Sequence, residues 1–165
     1  MSKVNLISTN KKTSTAVTFI LVIYGFISFF VPTFLVNIIP QSAVGIFFLK
    51  YIFVLTVLFI LFSIYFIIVG LYSYYLKIDA YVMYISSDRI ISGLLKAKNY
   101  IEIPNDMLIQ YSFFNRPFSF NKTLMIKIKD VSGKRIVKRF NFSFLSKRDE
   151  YRISNILEKI ITKNK

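Results

Sequence analysis

Two long stretches without a single charge decide what this chain can become. Residues 16–39 read AVTFILVIYGFISFFVPTFLVNII, and residues 51–76 read YIFVLTVLFILFSIYFIIVGLYSYYL. A helix needs about 20 mostly apolar residues to cross the hydrocarbon core of a bilayer, and each stretch exceeds that. In lipid every backbone N–H and C=O must be satisfied within the segment, so two isolated spans can only be helices. Between Lys12 and Lys77 the one charged residue is Lys50, whereas residues 77–165 hold 18 of the 22 basic residues and all eight acids. A soluble protein spreads its charges over its surface; this one confines them to its ends. The expectation is an α+β membrane protein with a cytoplasmic tail (residues 1–14) and a two-helix transmembrane hairpin (residues 15–76). A small antiparallel β domain (residues 77–165) follows, closed by a C-terminal amphipathic helix.

Pro40-Gln41-Ser42 separates the two stretches and reads as the turn. Pro32 falls inside the first and removes a helical hydrogen bond, so a kink is expected there. At the bilayer centre Lys50 would cost about 2.5–3.5 kcal/mol. It is therefore placed near the outer interface, its ammonium reaching out to water. Lys3, Lys11 and Lys12 precede the first span and Lys77, Arg89, Lys96 and Lys98 follow the second. The positive-inside rule then puts both termini in the cytoplasm. Tyr72, Tyr74 and Tyr75 would form an aromatic belt at the inner headgroups. A cleaved signal peptide fits less well, because the first run is too long, lacks an A-x-A-like site and is soon followed by a second span. Heavy use of Lys, Ile, Asn, Phe and Tyr fits an AT-rich genome, which points to a multi-pass protein of a bacterial cytoplasmic membrane.

The residue inventory excludes much chemistry. There is no cysteine and no histidine, so disulfides, the common zinc sites, Ser-His and Cys-His pairs and histidine-ligated haem are unavailable. The acids have structural explanations: Asp88 and Asp106 in turns, Asp130 beside one, Asp149 and Glu150 in a helical first turn. No Gly-rich phosphate loop, G-x-S-x-G or carboxylate cluster at metal spacing occurs. Neither span carries an acid for a proton or cation relay. The expectation is a protein that is not an enzyme and uses no cofactor. Two helices per chain could line a pore only as a homo-oligomer.

Beyond residue 80 the apolar pattern alternates. Residues 81–86 and 89–95 read as a hairpin turning at Ser87-Asp88. Residues 100–103 and 107–114 are two further strands, broken at Pro104-Asn105-Asp106. The clearest hairpin spans residues 123–142 around Asp130-Val131-Ser132-Gly133, with Gly133 left-handed and Asp130 paired to Lys134. Leu124, Ile126, Ile128, Ile136, Lys138 and Phe140 then share one face. Met125, Lys127, Lys129, Arg135, Val137 and Arg139 share the other. Ser146 is a good N-cap, with Asp149 three residues on, for a helix over 147–162. Its Ile153, Ile156, Leu157, Ile160 and Ile161 form one apolar stripe that needs the apolar sheet face as partner.

About six short strands and one amphipathic helix, following two membrane helices, resemble the bacterial pleckstrin-homology-like membrane proteins. Ser87-Asp88-Arg89-Ile90-Ile91-Ser92-Gly93-Leu94-Leu95 is similar to that family's first hairpin, and Tyr100-Ile101-Glu102-Ile103-Pro104 to its next strand. The resemblance covers residues 80–162 and implies a small, strongly bent sheet or barrel closed by the helix. It implies no single function; some members are associated with immunity to membrane-active bacteriocins.

Residues 77–165 carry a net charge of +10. The basic face of Lys127, Lys129, Arg135 and Arg139, with Lys134 at the turn, is the leading candidate for binding anionic lipid or a protein partner. Anionic headgroups attract a juxtamembrane basic residue with about 1 kcal/mol each. The plain alternative is a solvated strand face. Phe113, Phe114, Phe118 and Phe120 surround Asn115-Arg116-Pro117: either an aromatic-basic loop for the interface or a partner, or core aromatics joined by a turn. Arg116 joins the candidate binding residues. Aromatic-basic mixtures can bind single-stranded nucleic acid, but no nucleic acid is expected here. The leading expectation is a membrane-anchored module docking a membrane protein or complex at the inner leaflet. Bacteriocin immunity and anionic-lipid binding are the alternatives.

Overall fold

A computed structural model describes residues 6–38, 42–90, 99–130 and 132–164. Along the chain they form β1 (Leu6–Thr9), α1 (Lys11–Ile38), α2 (Ala43–Val69), β2 (Tyr72–Ile78), β3 (Val82–Arg89), β4 (Asn99–Pro104), β5 (Leu108–Asn115), β6 (Asn121–Lys129), β7 (Arg135–Ser143) and α3 (Lys147–Asn164). The fold is α+β with two antiparallel sheets, β1-β2-β3-β4 and β5-β6-β7. Two compact units result: Thr15–Gly70, and Met1–Ser14 joined to Leu71–Lys165. The expected turn at Pro40-Gln41, residues 91–95 of the expected first hairpin, Lys3, Lys96, Lys98 and Val131 lie outside the described residues.

In the helical unit α1 runs through position 32 as one helix. Ser42 caps α2, its hydroxyl accepting from the Gly45 N–H at 3.0 Å. The helices meet where Tyr24 donates to the Leu55 carbonyl at 3.4 Å and its ring stands edge-on to Phe59, 5.7 Å between centroids. Gly25 makes that approach possible, since a β-carbon there would lie 2.8 Å from the Phe59 ring. Among the described residues one helix is long and apolar enough to cross a membrane, over Leu49–Val69. At 1.5 Å per residue those 21 residues reach about 32 Å, close to the thickness of a hydrocarbon core. Lys50 stands at one end of that stretch, 5.7 Å from the centre of the Tyr51 ring.

Two expected boundaries are corrected. The second apolar stretch does not continue as helix to Leu76: α2 stops at Val69, and Gly70 takes φ +77°. A left-handed glycine ends the helix at little steric cost, and Tyr-Ser-Tyr-Tyr-Leu-Lys-Ile then alternates as β2. The N-terminal residues are not merely a tail either. Leu6–Thr9 pairs antiparallel with β2, Leu6 opposite Ile78 and Thr9 opposite Tyr75. The helical unit is thus an insertion between the first two strands of the β unit. β3 also runs straight through Ser87-Asp88, expected as a turn. The tight turn lies instead at Asp79, whose N–H donates to the Val82 carbonyl at 2.9 Å, and β3 continues β2 in register from Ile78–Met83 to Tyr72–Arg89.

One core serves both sheets. Leu6, Tyr74, Leu76, Ile78, Met83, Ile85 and Ile103 come from the first sheet; Leu108, Leu124, Ile126, Ile128, Phe140 and Phe142 come from the second. Leu145, Ile153 and Leu157 complete it, with Ile156, Ile160 and Ile161 packed partly buried against it, as the apolar stripe of α3 requires. The β6–β7 register matches the sequence reading: Lys129 opposite Arg135, Ile126 opposite Lys138, Leu124 opposite Phe140. Asp130 donates to the Lys134 carbonyl, and Gly133 has φ +80°. Ser146 accepts from the Asp149 N–H at 3.0 Å and donates to its carboxylate at 2.7 Å.

Candidate interaction surfaces

The β unit has two ends, and the chain uses them differently. At one end the chain leaves β1 through Asn10 for α1 and returns from Gly70 through Leu71 into β2. Buried Asn10 ties this end together. Its amide donates to the carbonyls of Tyr72 and Ser143, both at 2.8 Å, and its oxygen accepts from the Tyr74 N–H at 2.8 Å. Ser143 accepts from the Tyr72 N–H at 2.8 Å and donates to Asn121. Thr9 adds a bond to the Tyr74 carbonyl at 2.9 Å. Asn10 thereby joins the start of β2 to the end of β7, and no motif in the sequence marks it.

The candidate basic residues are divided between these ends. Lys129, Lys134 and Arg135 surround the β6–β7 turn. Along β7 the step from Ser143 back to Arg135 is eight residues, about 26 Å at strand rise. Lys127 and Arg139 lie between, on the outward face with Met125 and Val137. Arg116 is exposed in the β5–β6 loop, at the Asn10 end. The structure therefore brings together Lys127, Lys129, Lys134, Arg135 and Arg139 as one strip and leaves Arg116 outside it. The ion pairs among the described residues are Lys77–Asp79 and Lys122–Glu150, and neither involves the strip. Lys129 and Arg135 face each other directly across the strands, an arrangement that costs rather than contributes stability.

The tyrosines assigned to a membrane belt all belong to strand β2. Tyr74 is a core residue, 3% exposed, stacked on Phe142 at 4.3 Å. Burial raises its phenol pKa, against a lowering by the Ser8 hydroxyl 3.3 Å away and a further rise from the charge of Asp149, so it stays neutral. Tyr75 instead joins Tyr84 and Tyr100 in a ladder on the outer face of the first sheet, with centroid steps of 5.9 and 6.4 Å. Lys77, on the same face, has its pKa raised by its hydrogen bond to Asp79 and by that residue's charge.

The phenylalanine cluster also divides. Phe113 packs on the core, whereas Phe114 is half exposed and Phe118, at the loop tip, is 97% exposed. Phe118 and Phe144 have φ of +54° and +56°, a region that bulky residues rarely enter and that costs about 1–3 kcal/mol. Phe120 and Phe144 stack at 4.5 Å with planes 8° apart, and the Phe144 N–H donates to the Phe120 carbonyl at 3.1 Å. Among the described residues no group of three acids could hold a metal ion. Comparison with known protein families, with curated proteins and with solved structures finds no match.

Proposed function

We propose that this chain is a non-enzymatic, membrane-anchored binding module. In this reading α1 and α2 form a transmembrane hairpin that holds a pleckstrin-homology-like β unit at the inner leaflet of a bacterial cytoplasmic membrane. The outward strip of Lys127, Lys129, Arg135 and Arg139 docks an acidic surface of another membrane protein. The anchoring half is supported by what the helices expose. Among the described residues, 25 large apolar side chains of α1 and α2 face outward. At about 1 kcal/mol each for the surface left exposed, keeping them in water rather than hydrocarbon costs roughly 25 kcal/mol. A bilayer removes that cost. Four strands in one sheet, three in the other and a closing C-terminal helix favour the pleckstrin-homology-like description.

One observation carries the docking half: the like-charged pair Lys129–Arg135, held directly opposite on the exposed face, with neither residue in an ion pair among the described residues. A partner carboxylate would turn that repulsion into a charge-assisted contact. Lys129 and Arg135 stand about 26 Å along the strands from the Asn10 end, through which the chain passes to α1 and from α2, roughly three Debye lengths at physiological salt. That favours a protein over lipid as its occupant. The test is purification of the full-length protein from its native membrane in mild detergent, beside a Lys129→Glu/Arg135→Glu variant. A stoichiometric partner retained by the unsubstituted chain and lost from the variant is expected. A chain that purifies alone, or a partner that the variant keeps, refutes the docking role.

A further inference from the structure

The β5–β6 loop carries Phe118 at its tip. Phe118 is 97% exposed and left-handed; so exposed a ring adds almost no burial to the core, yet its backbone conformation is a costly one. It follows Arg116-Pro117, both exposed. Left-handed Phe144, stacked on Phe120, lies immediately after Ser143, which Asn10 and Tyr72 hold. Both aromatic features therefore occupy the end through which the chain passes to α1 and from α2. The connections there are short: Asn10 alone separates β1 from α1, and Gly70-Leu71 separate α2 from β2.

The charge at this end is complementary to an anionic surface. Lys11, Lys12, Arg116, Lys147 and Arg148 are all exposed. Lys11 and Lys12 open α1 with no acid in its first turn, the wrong sign for the helix dipole, so helix stability does not explain them. Of the acids nearby, Asp149 is engaged by Ser146 and Glu150 by Lys122, while Asp88 is half-buried. Only about 8 Å of helix separates Lys11 from the first uncharged apolar residues of α1.

We propose that this end of the β unit rests on an anionic phospholipid surface, with Phe118 inserted at the boundary between headgroups and acyl chains. Arg116, Lys147 and Arg148 then lie among the lipid phosphates. The proposal rests on the reading that α1 and α2 span the bilayer. The tether makes insertion an intramolecular step, so a single aromatic wedge that would bind weakly in a free domain is held in place.

The chain contains no tryptophan, so one substitution supplies the only indole. Full-length Phe118→Trp is reconstituted into mixed phosphatidylcholine–phosphatidylglycerol vesicles containing lipids brominated at shallow or deep acyl positions. Phe62→Trp, within α2, and Ser132→Trp, at the β6–β7 turn, serve as references. The expected result is blue-shifted emission and strong quenching of the Phe118→Trp indole by shallow bromines, and loss of that quenching when Arg116, Lys147 and Arg148 are changed to Glu. Phe144→Trp is a second reporter, expected to be quenched more weakly. If Phe62→Trp is quenched by deep bromines while Phe118→Trp behaves like Ser132→Trp, the insertion is wrong and the span reading stands. If Phe62→Trp is not quenched, the span reading itself fails and the insertion with it. A blue shift at Phe118→Trp without quenching places the ring in a protein pocket and also overturns the proposal.

Discussion

The helical unit and the β unit use the same side chains in opposite ways. Phe53 in α2 is 76% exposed, and Phe140 in β7 is fully buried. Ile68 and Ile85 make the same contrast, 75% against 0%. In the β unit an apolar residue contributes by leaving water, so its neighbours within the chain decide its worth. In the helical unit the chain supplies few such neighbours among the described residues, and in the proposed reading a bilayer takes their place. Composition cannot separate these cases, because both units are rich in Phe and Ile.

The widest separation between the units is expected from large-to-small substitution. Phe140→Ala should cost the β unit about 3–5 kcal/mol, read as a shift in its urea midpoint. Phe53→Ala should leave that midpoint unchanged; a matching loss would mean that the two units share a core. Asn10→Ala comes next. It strands the Tyr74 N–H and weakens the carbonyl partnerships of Tyr72 and Ser143, for about 2–3 kcal/mol. Hydrogen exchange should rise first in β1 and the start of β2, and unaltered protection there would show that the strands close without it. Ser146→Ala removes the cap of α3 and should cost about 1 kcal/mol, confined to the β unit. The smallest effect has the opposite sign. Arg135→Glu replaces repulsion with attraction to Lys129 and should stabilise the β unit by about 0.5 kcal/mol, a gain in midpoint accompanied by loss of partner binding.

What the sequence made legible followed from local chemistry. The β6–β7 hairpin could be read residue by residue because Asp130 and Gly133 set its turn and strict alternation set its faces. The start of α3 was equally plain from Ser146 and Asp149. β2 was hidden because Gly70-Leu71 alone separate it from α2, and a run of apolar residues does not reveal where the period changes from helix to strand. Gly70 was the available signal, followed by the inward Tyr74, Leu76 and Ile78 against the outward Ser73, Tyr75 and Lys77. β1 is four residues long and has no pattern until its partner is known. The basic strip was visible from alternation, but its distance from the Asn10 end was not, since that depends on which strands Asn10 joins. Phe118 and Phe113 looked alike in sequence; burial and backbone conformation separate them.

If α1 and α2 cross a bilayer as proposed, the α1–α2 turn and the β unit lie on opposite sides of it. The absence of cysteine allows a direct test with single cysteines at Val44, in the first turn of α2, and at Ser132, in the β6–β7 turn. Each full-length variant is treated with a membrane-impermeant maleimide in intact cells and in inverted membrane vesicles. A transmembrane hairpin of this orientation gives labelling of Val44→Cys from the cell exterior only, and of Ser132→Cys only in inverted vesicles. Labelling of both from the same side, or release of the protein by high-salt washing, would contradict it.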